Sequence, residues 1–120
     1  MTFKEVSNMV GSIGLPFAYY EFPEVNESGG TAVTAPPFVC FYFPEDRDFK
    51  ADSKNYQKIE HLVIELYSDN KDFALEASVE SVLENNGLVW ARNEGKIDSE
   101  RMYMVTYEMD VVITEEKTNG

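Results

Sequence analysis

His61 and Cys40 are the only histidine and cysteine in the 120 residues. A hydrolase triad needs a nucleophile, a base and an orienting group, so imidazole-based catalysis would have to run through His61. The sequence sets His61 mid-strand, beside Glu60 and on the face opposite Leu62, Ile64 and Leu66. There a surface or interface histidine is the simpler reading, because catalysis would need a convergent pocket. Cys40 sits in the apolar run Phe38-Val39-Cys40-Phe41-Tyr42-Phe43 and reads as a small buried hydrophobe. A lone thiol forms no intrachain disulfide and leaves a Cys-based zinc site short of ligands. The carboxylates lack EF-hand spacing: Glu45-Asp46-Arg47-Asp48 is acidic but has neither the glycine nor the terminal glutamate of a calcium loop. Gly11, Gly14, Gly29 and Gly30 form no phosphate-cradling motif. The expectation is a protein that is not an enzyme, with no cofactor and no metal.

The acidic residues are the stronger signal. Asp and Glu number 22 against 10 Lys and Arg, a net charge of −12. That balance argues against gripping nucleic acid through its phosphates, which needs a basic patch, and against docking on an anionic membrane. The charge is also uneven. Between Glu60 and Glu84 seven carboxylates face one fixed cation, Lys71. Glu76, Glu80 and Glu84 recur every four residues, a spacing that costs a helix a few tenths of a kcal/mol per like-charged pair. Two readings stand: a solvated helix face, or a surface that repels polyanions or meets a basic partner. The segment from Glu45 to Asp52, with Asp46 and Asp48, is the second acidic concentration.

The aromatic residues also allow two readings. Phe17, Tyr19, Tyr20, Phe22, Phe38, Phe41, Tyr42 and Phe43 put eight rings within 27 positions. They build either a core with cross-strand ring pairs or a subunit interface. Tyr19 and Tyr20 are neighbours, as are Phe41 and Tyr42, so on a strand each pair must divide between the two faces. Tyr19, Tyr20, Phe41 and Tyr42 are the candidate interface residues.

The elements that position these groups follow from pattern. Thr2 and Glu5 fit a capping box, and Phe3, Val6, Met9, Val10 and Ile13 follow at helical spacing up to Gly14 and Pro16. Phe17–Phe22 reads as a strand, and residues 23–36 as a polar loop. Pro37–Phe43 is apolar throughout, so a strand there would be covered on both faces. Residues 44–55 read as an exposed loop, and Tyr56–Tyr67 as a long strand. Asp69-Asn70-Lys71-Asp72 opens a second helix with capping side chains and negative charge at its positive end. Its stripe is Leu75, Val79, Val82 and Leu83, and Asn85-Asn86-Gly87 closes it. Leu88–Ala91 is predicted as a short strand, followed by a turn at Asn93-Glu94-Gly95-Lys96. Met102–Thr114 alternates cleanly and belongs beside the Tyr56–Tyr67 strand, with the second helix on the shared face. Residues 115–120 form a frayed tail. The opening Met1-Thr2-Phe3-Lys4-Glu5 has no positively charged stretch followed by an apolar one, so no secretory leader is expected there, and no apolar run approaches the roughly 18 residues that span a bilayer.

The expectation is a single α+β domain over residues 1–120: a mostly antiparallel sheet of four to five strands with two short helices. With 43% hydrophobic and 13% aromatic residues, the composition supports a core rather than disorder. Both long loops are expected to be mobile in an isolated subunit and ordered against neighbours.

This order of elements resembles the tail terminator and head–tail joining (tail completion) proteins of long-tailed bacteriophages and prophages. The resemblance lies in the short N-terminal helix, the proline-flanked aromatic strands, and the strand Glu60-His61-Leu62-Val63-Ile64-Glu65-Leu66-Tyr67. It continues in Ser68-Asp69-Asn70-Lys71-Asp72 opening an acidic helix and in the closing strand Arg101–Met109. It implies a virion protein of the tail or neck, assembled in the host bacterial cytoplasm. Such a protein forms a homo-oligomeric ring, typically a hexamer, between the major tail tube protein and the head connector. DNA passes through such a ring without specific binding. The acidic candidates Glu76, Glu80, Glu84, Glu45, Asp46 and Asp48 would then line the channel, where negative charge lets DNA slide. An acidic inhibitor or DNA mimic bound to a nucleic-acid enzyme is the alternative reading.

Overall fold

The computed structural model describes residues 1–20, 35–44, 57–97 and 102–114. Its elements run α1 (Phe3–Gly11), β1 (Phe17–Tyr19), β2 (Phe38–Tyr42), β3 (Gln57–Ser68), α2 (Phe73–Asn85), β4 (Ala91–Ile97) and β5 (Met102–Thr114). This is the expected α+β fold. The strands form one mixed sheet in the order β1-β2-β3-β5-β4, antiparallel except for the β1–β2 pair. Most of the segments read as loops, 23–34 and 45–55, lie outside the described residues, as do Glu21, Phe22 and the tail from 115. No helix among the described residues is long and apolar enough to cross a membrane.

Both helices start where their side chains dictate. The Thr2 hydroxyl accepts from the Glu5 amide while the Glu5 carboxylate accepts from the Thr2 amide, completing the capping box. Asp72 caps α2 by accepting from the Leu75 amide. Gly87, at φ 74, closes α2, and the Leu88 amide reaches back to the Leu83 carbonyl.

Period-2 alternation sorts the long strands. Leu62, Ile64 and Leu66 of β3 and Val105, Tyr107, Met109, Val111 and Ile113 of β5 are buried on one face. Val39 and Phe41 of β2 join them, and the face is covered by Val6, Met9 and Val10 of α1 and Val79 and Leu83 of α2. The β3–β5 register runs unbroken from Gln57↔Thr114 to Ser68↔Tyr103. β2 is buried at three consecutive positions, Val39, Cys40 and Phe41, so it is covered on both faces as its apolar run requires.

Two boundaries differ from the pattern reading. The described β1 stops at Tyr19 because Tyr20 takes φ 71, a left-handed conformation that ends a strand. The larger correction is β4. Asn93-Glu94-Gly95-Lys96, expected as a turn, is strand interior, paired from Ala91↔Glu108 to Ile97↔Met102. A long ordered neighbour supplies ladder hydrogen bonds that outweigh the local turn preference of Asn and Gly.

Replacing Ile64, fully buried between Phe41 and Tyr107 in register, by Ala should cost about 2–5 kcal/mol. Thr2→Ala, losing only the cap, should cost about 1 kcal/mol. Urea unfolding of the two variants measures both, and equal losses would contradict this placement of the core.

Candidate functional site

The sheet presents two chemically distinct faces. On the helix-bearing face, α2 and β4 build an ionic cluster. Residues at even positions of β4 point to this side, which brings Arg92 and Glu94 beneath α2. Lys71 Nζ lies 2.7 Å from Glu76 Oε2 and 2.9 Å from Glu94 Oε1. The Arg92 guanidinium donates to Glu76 Oε1 and approaches Glu94 at 3.3 Å and Glu80 at 3.5 Å. The buried Tyr107 hydroxyl donates to Glu80 at 2.9 Å. Glu76 is only 5% exposed, so two cations compensate a carboxylate taken out of water. Desolvation works to lower the Lys71 amine, but hydrogen bonds and charge from Glu76 and Glu94 together outweigh it and raise it, while Lys71 and Arg92 lower the Glu94 carboxyl.

The opposite face carries no helix among the described residues. On it the His61 ring lies between two carboxylates of β5: Nε2 is 2.9 Å from Glu108 Oε1, and Nδ1 is 3.2 Å from Asp110 Oδ1. Beside them Glu65 accepts from the Tyr42 hydroxyl at 2.7 Å and from the Tyr67 hydroxyl at 2.6 Å. Tyr20 stacks on Tyr42 and Phe38 on Tyr67, with ring centroids 5.0 and 4.9 Å apart. Burial first, then hydrogen bonding to the Glu65 carboxylate, pushes both Tyr42 and Tyr67 well above the ordinary phenol range. Neither is a phenolate nucleophile at neutral pH.

An aromatic patch borders the β1 edge. Tyr19 touches Phe41, Phe43 and Tyr20, and Phe3 of α1 packs edge-on against Phe43 at 5.2 Å. Phe3, Phe17, Tyr19 and Tyr20 are all exposed, the last two by about half. A groove of about 560 Å³ between α1 and the end of α2 is lined by Met1, Glu5, Asn8, Met9, Ser12 and Asn86. It gathers no nucleophile–base pair, and its one carboxylate, Glu5, is engaged in the α1 cap. Among the described residues, no three His, Cys, Asp or Glu side chains are grouped to hold a metal ion.

The acidic candidates therefore separate. Glu76 faces inward, Glu80 is half-buried, and Glu84 is exposed. Glu45, Asp46 and Asp48 lie outside the described residues. Of the interface candidates, Phe41 belongs to the core, Tyr42 is half-buried on the helix-free face, and Tyr19 and Tyr20 remain exposed. Arg92 went unnoticed in the sequence because it falls between the expected strand Leu88–Ala91 and the supposed turn. The alternating charges Arg92, Glu94 and Lys96 were the available signal, since period-2 charge marks one face of a strand.

Lys71 and Arg92 back each other up on Glu76. Lys71→Ala and Arg92→Ala should each cost about 1 kcal/mol, and together about 3–5 kcal/mol, as the buried carboxylate loses all compensation. A double-mutant cycle by denaturant unfolding checks this, and strict additivity would contradict it.

No family model matches the sequence, and no curated protein is similar to it. Among solved structures, a chain of the virion of a native gene transfer agent particle is similar in fold. Its TM-score is 0.52 at 14% identity, over 92% of this chain and 84% of that one. A crystal structure from Akkermansia muciniphila aligns over 97% of this chain and 50% of that one, at 10% identity and a TM-score of 0.46. That second likeness is too slight to bear on the fold.

Proposed function

We propose that this chain is a structural subunit of a tailed, phage-like virion, one that assembles into a ring terminating the tail tube and joining tail to head. The observation that carries the reading is the shared fold with a chain of a gene transfer agent virion across 92% of the residues. The surface chemistry supports it. In residues 1–20 and 35–44 the only charged side chains are Lys4 and Glu5, whereas residues 57–97 and 102–114 hold ten carboxylates and four Lys or Arg. A chain of net charge −12 associates with copies of itself most readily where its described surface carries least charge. That region carries the exposed aromatic edge.

The β1 edge also offers backbone. The Tyr20 amide donates to the Phe41 carbonyl and the Val39 amide to the Pro16 carbonyl. By strand alternation, the amides and carbonyls of Phe17 and Tyr19 then point away from β2. At the other end of the sheet lies β4, an unlike edge. Joining unlike edges head to tail generates a closed ring when the rotation between copies closes. In this reading Tyr19 and Tyr20 form the interface, with Tyr42 beside them and Phe41 supporting Tyr19 from within.

The channel role assigned to the acidic helix centres on Glu84, with Glu80 beside it, while the charge of Glu76 is spent inside the subunit. Glu45, Asp46 and Asp48 extend the same proposal. The tube protein and the head connector are the partners, and DNA passes through without being gripped.

Size exclusion with light scattering, followed by negative-stain microscopy, tests the reading. The expected result is annular particles of uniform stoichiometry, broken to monomers by the double substitution Tyr19→Ser, Tyr20→Ser with the fold retained by circular dichroism. A strict monomer at every concentration overturns the ring and favours the acidic inhibitor. A ring that survives the substitution overturns the interface assignment alone, and a ring with Glu84 on its outer rim overturns the channel role.

A further inference from the structure

The sheet is five strands wide only over part of its length. β2 pairs with β3 from Val63 to Tyr67, and β4 pairs with β5 from Met102 to Glu108. Beyond those points residues 57–62 and 109–114 continue as a two-stranded ribbon among the described residues. Met1 fastens the ribbon on the far side of β5: its amine donates to the Val112 carbonyl and its carbonyl accepts from the Thr114 amide. The ribbon's core face is buried through Leu62, Met109, Val111 and Ile113. Its other face exposes the cross-strand pair Ile59 and Val112, each about half exposed.

His61 sits where the sheet narrows. Its direct register partner is Asp110, the first same-face position of the ribbon, while Glu108 opposite Val63 is the last position that β2 and β4 still flank. The ring spans from one to the other. A carboxylate only accepts hydrogen bonds, and a neutral imidazole donates from one nitrogen alone. Contact with a carboxylate at both nitrogens is therefore satisfied on both sides only by the imidazolium.

We infer that the His61 imidazolium is a proton-operated clasp, locking the two-stranded ribbon to the five-stranded body across Glu108 and Asp110. Among the described residues, β5 contributes Glu108 and Asp110 to the ring, and farther along the same face lie Glu65 of β3 and Tyr42 of β2, whose hydroxyl is held by Glu65. β4 contributes the uncharged Ala91, opposite Glu108. Loss of the proton removes the cation among these groups and leaves three carboxylates. The Glu108 hydrogen bond, resisted by desolvation and helped by Asp110, raises His61 above its ordinary 6.5. For a group raised by folding, the stabilisation is complete below pH 6.5 and disappears as pH climbs through the folded value. The ribbon is therefore held while His61 keeps its proton and released as pH rises through the folded value.

The single histidine makes the test direct. Nuclear magnetic resonance titration of the His61 ring should give a pKa above 6.5. Amide exchange, corrected for its intrinsic pH dependence, should show residues 57–62 and 109–114 losing protection with that same midpoint. The loss should be about tenfold for each pH unit by which the measured pKa exceeds 6.5, while Val63–Tyr67 and Tyr103–Tyr107 hold theirs. In His61→Gln the pH dependence of the ribbon should vanish. Titration at or below 6.5, a ribbon indifferent to pH in the wild type, or loss spread evenly through the sheet would each overturn the clasp. None of these outcomes depends on whether the chain forms a ring.

Discussion

The pairing of β3 with β5 is the constraint on which the rest of the structure depends. Twelve consecutive residue pairs in one antiparallel register fix which side chain of each strand faces which way. A slip of one residue would turn Leu62, Ile64 and Leu66 to the helix-free face and bring His61 and Glu65 into the core. β2 and β4 only extend what this pair has established, and both helices dock on the apolar face that it creates. The register also places His61 against Asp110 and within reach of Glu108, although 49 and 47 residues respectively separate them along the chain.

The same register explains how the carboxylates of α2 that turn toward the sheet are met by cations. α2 must turn Val79 and Leu83 to the sheet, and helical geometry then carries Glu76 and Glu80 toward β4. There Arg92 and Lys71 meet them, and Tyr107 reaches Glu80 from the core. The cluster joins helix to sheet through charge beside the apolar packing of Val79 and Leu83. The acidic stripe that the sequence shows every four residues is graded in the structure, from an inward Glu76 to an exposed Glu84. The charge of α2 left for a partner is thus toward the end of the helix, while among the described residues the exposed aromatic patch at the β1 edge lies on 1–20 and 35–44, whose charged side chains are Lys4 and Glu5.

Much of the fold was legible before any coordinates. The capping box at Thr2 and Glu5, the closure at Gly87, the unbroken apolar run of β2 and the alternation of β5 are all local signals. Each depends on residues adjacent in sequence or on a short repeat, and each appears in the structure where expected. β4 was the failure. Asn93 and Gly95 carry real turn preference, and only the ladder contributed by β5 overrides it. Arg92 was missed for the same reason, because a charge at the start of a turn looks solvated until a helix from elsewhere in the chain lies over it.

The sequence by itself determined the fold class, the helix caps, the inward and outward faces of the long strands and the acidity of the molecule. These follow from periodicity and composition, which are properties of neighbouring residues. The tertiary structure alone decided which carboxylates are free and which are consumed, that Phe41 is core while Tyr19 and Tyr20 are surface, and that the single histidine is held between two acids. Those outcomes turn on pairings between segments distant in the chain, and register and helix docking set them only when the sheet is assembled.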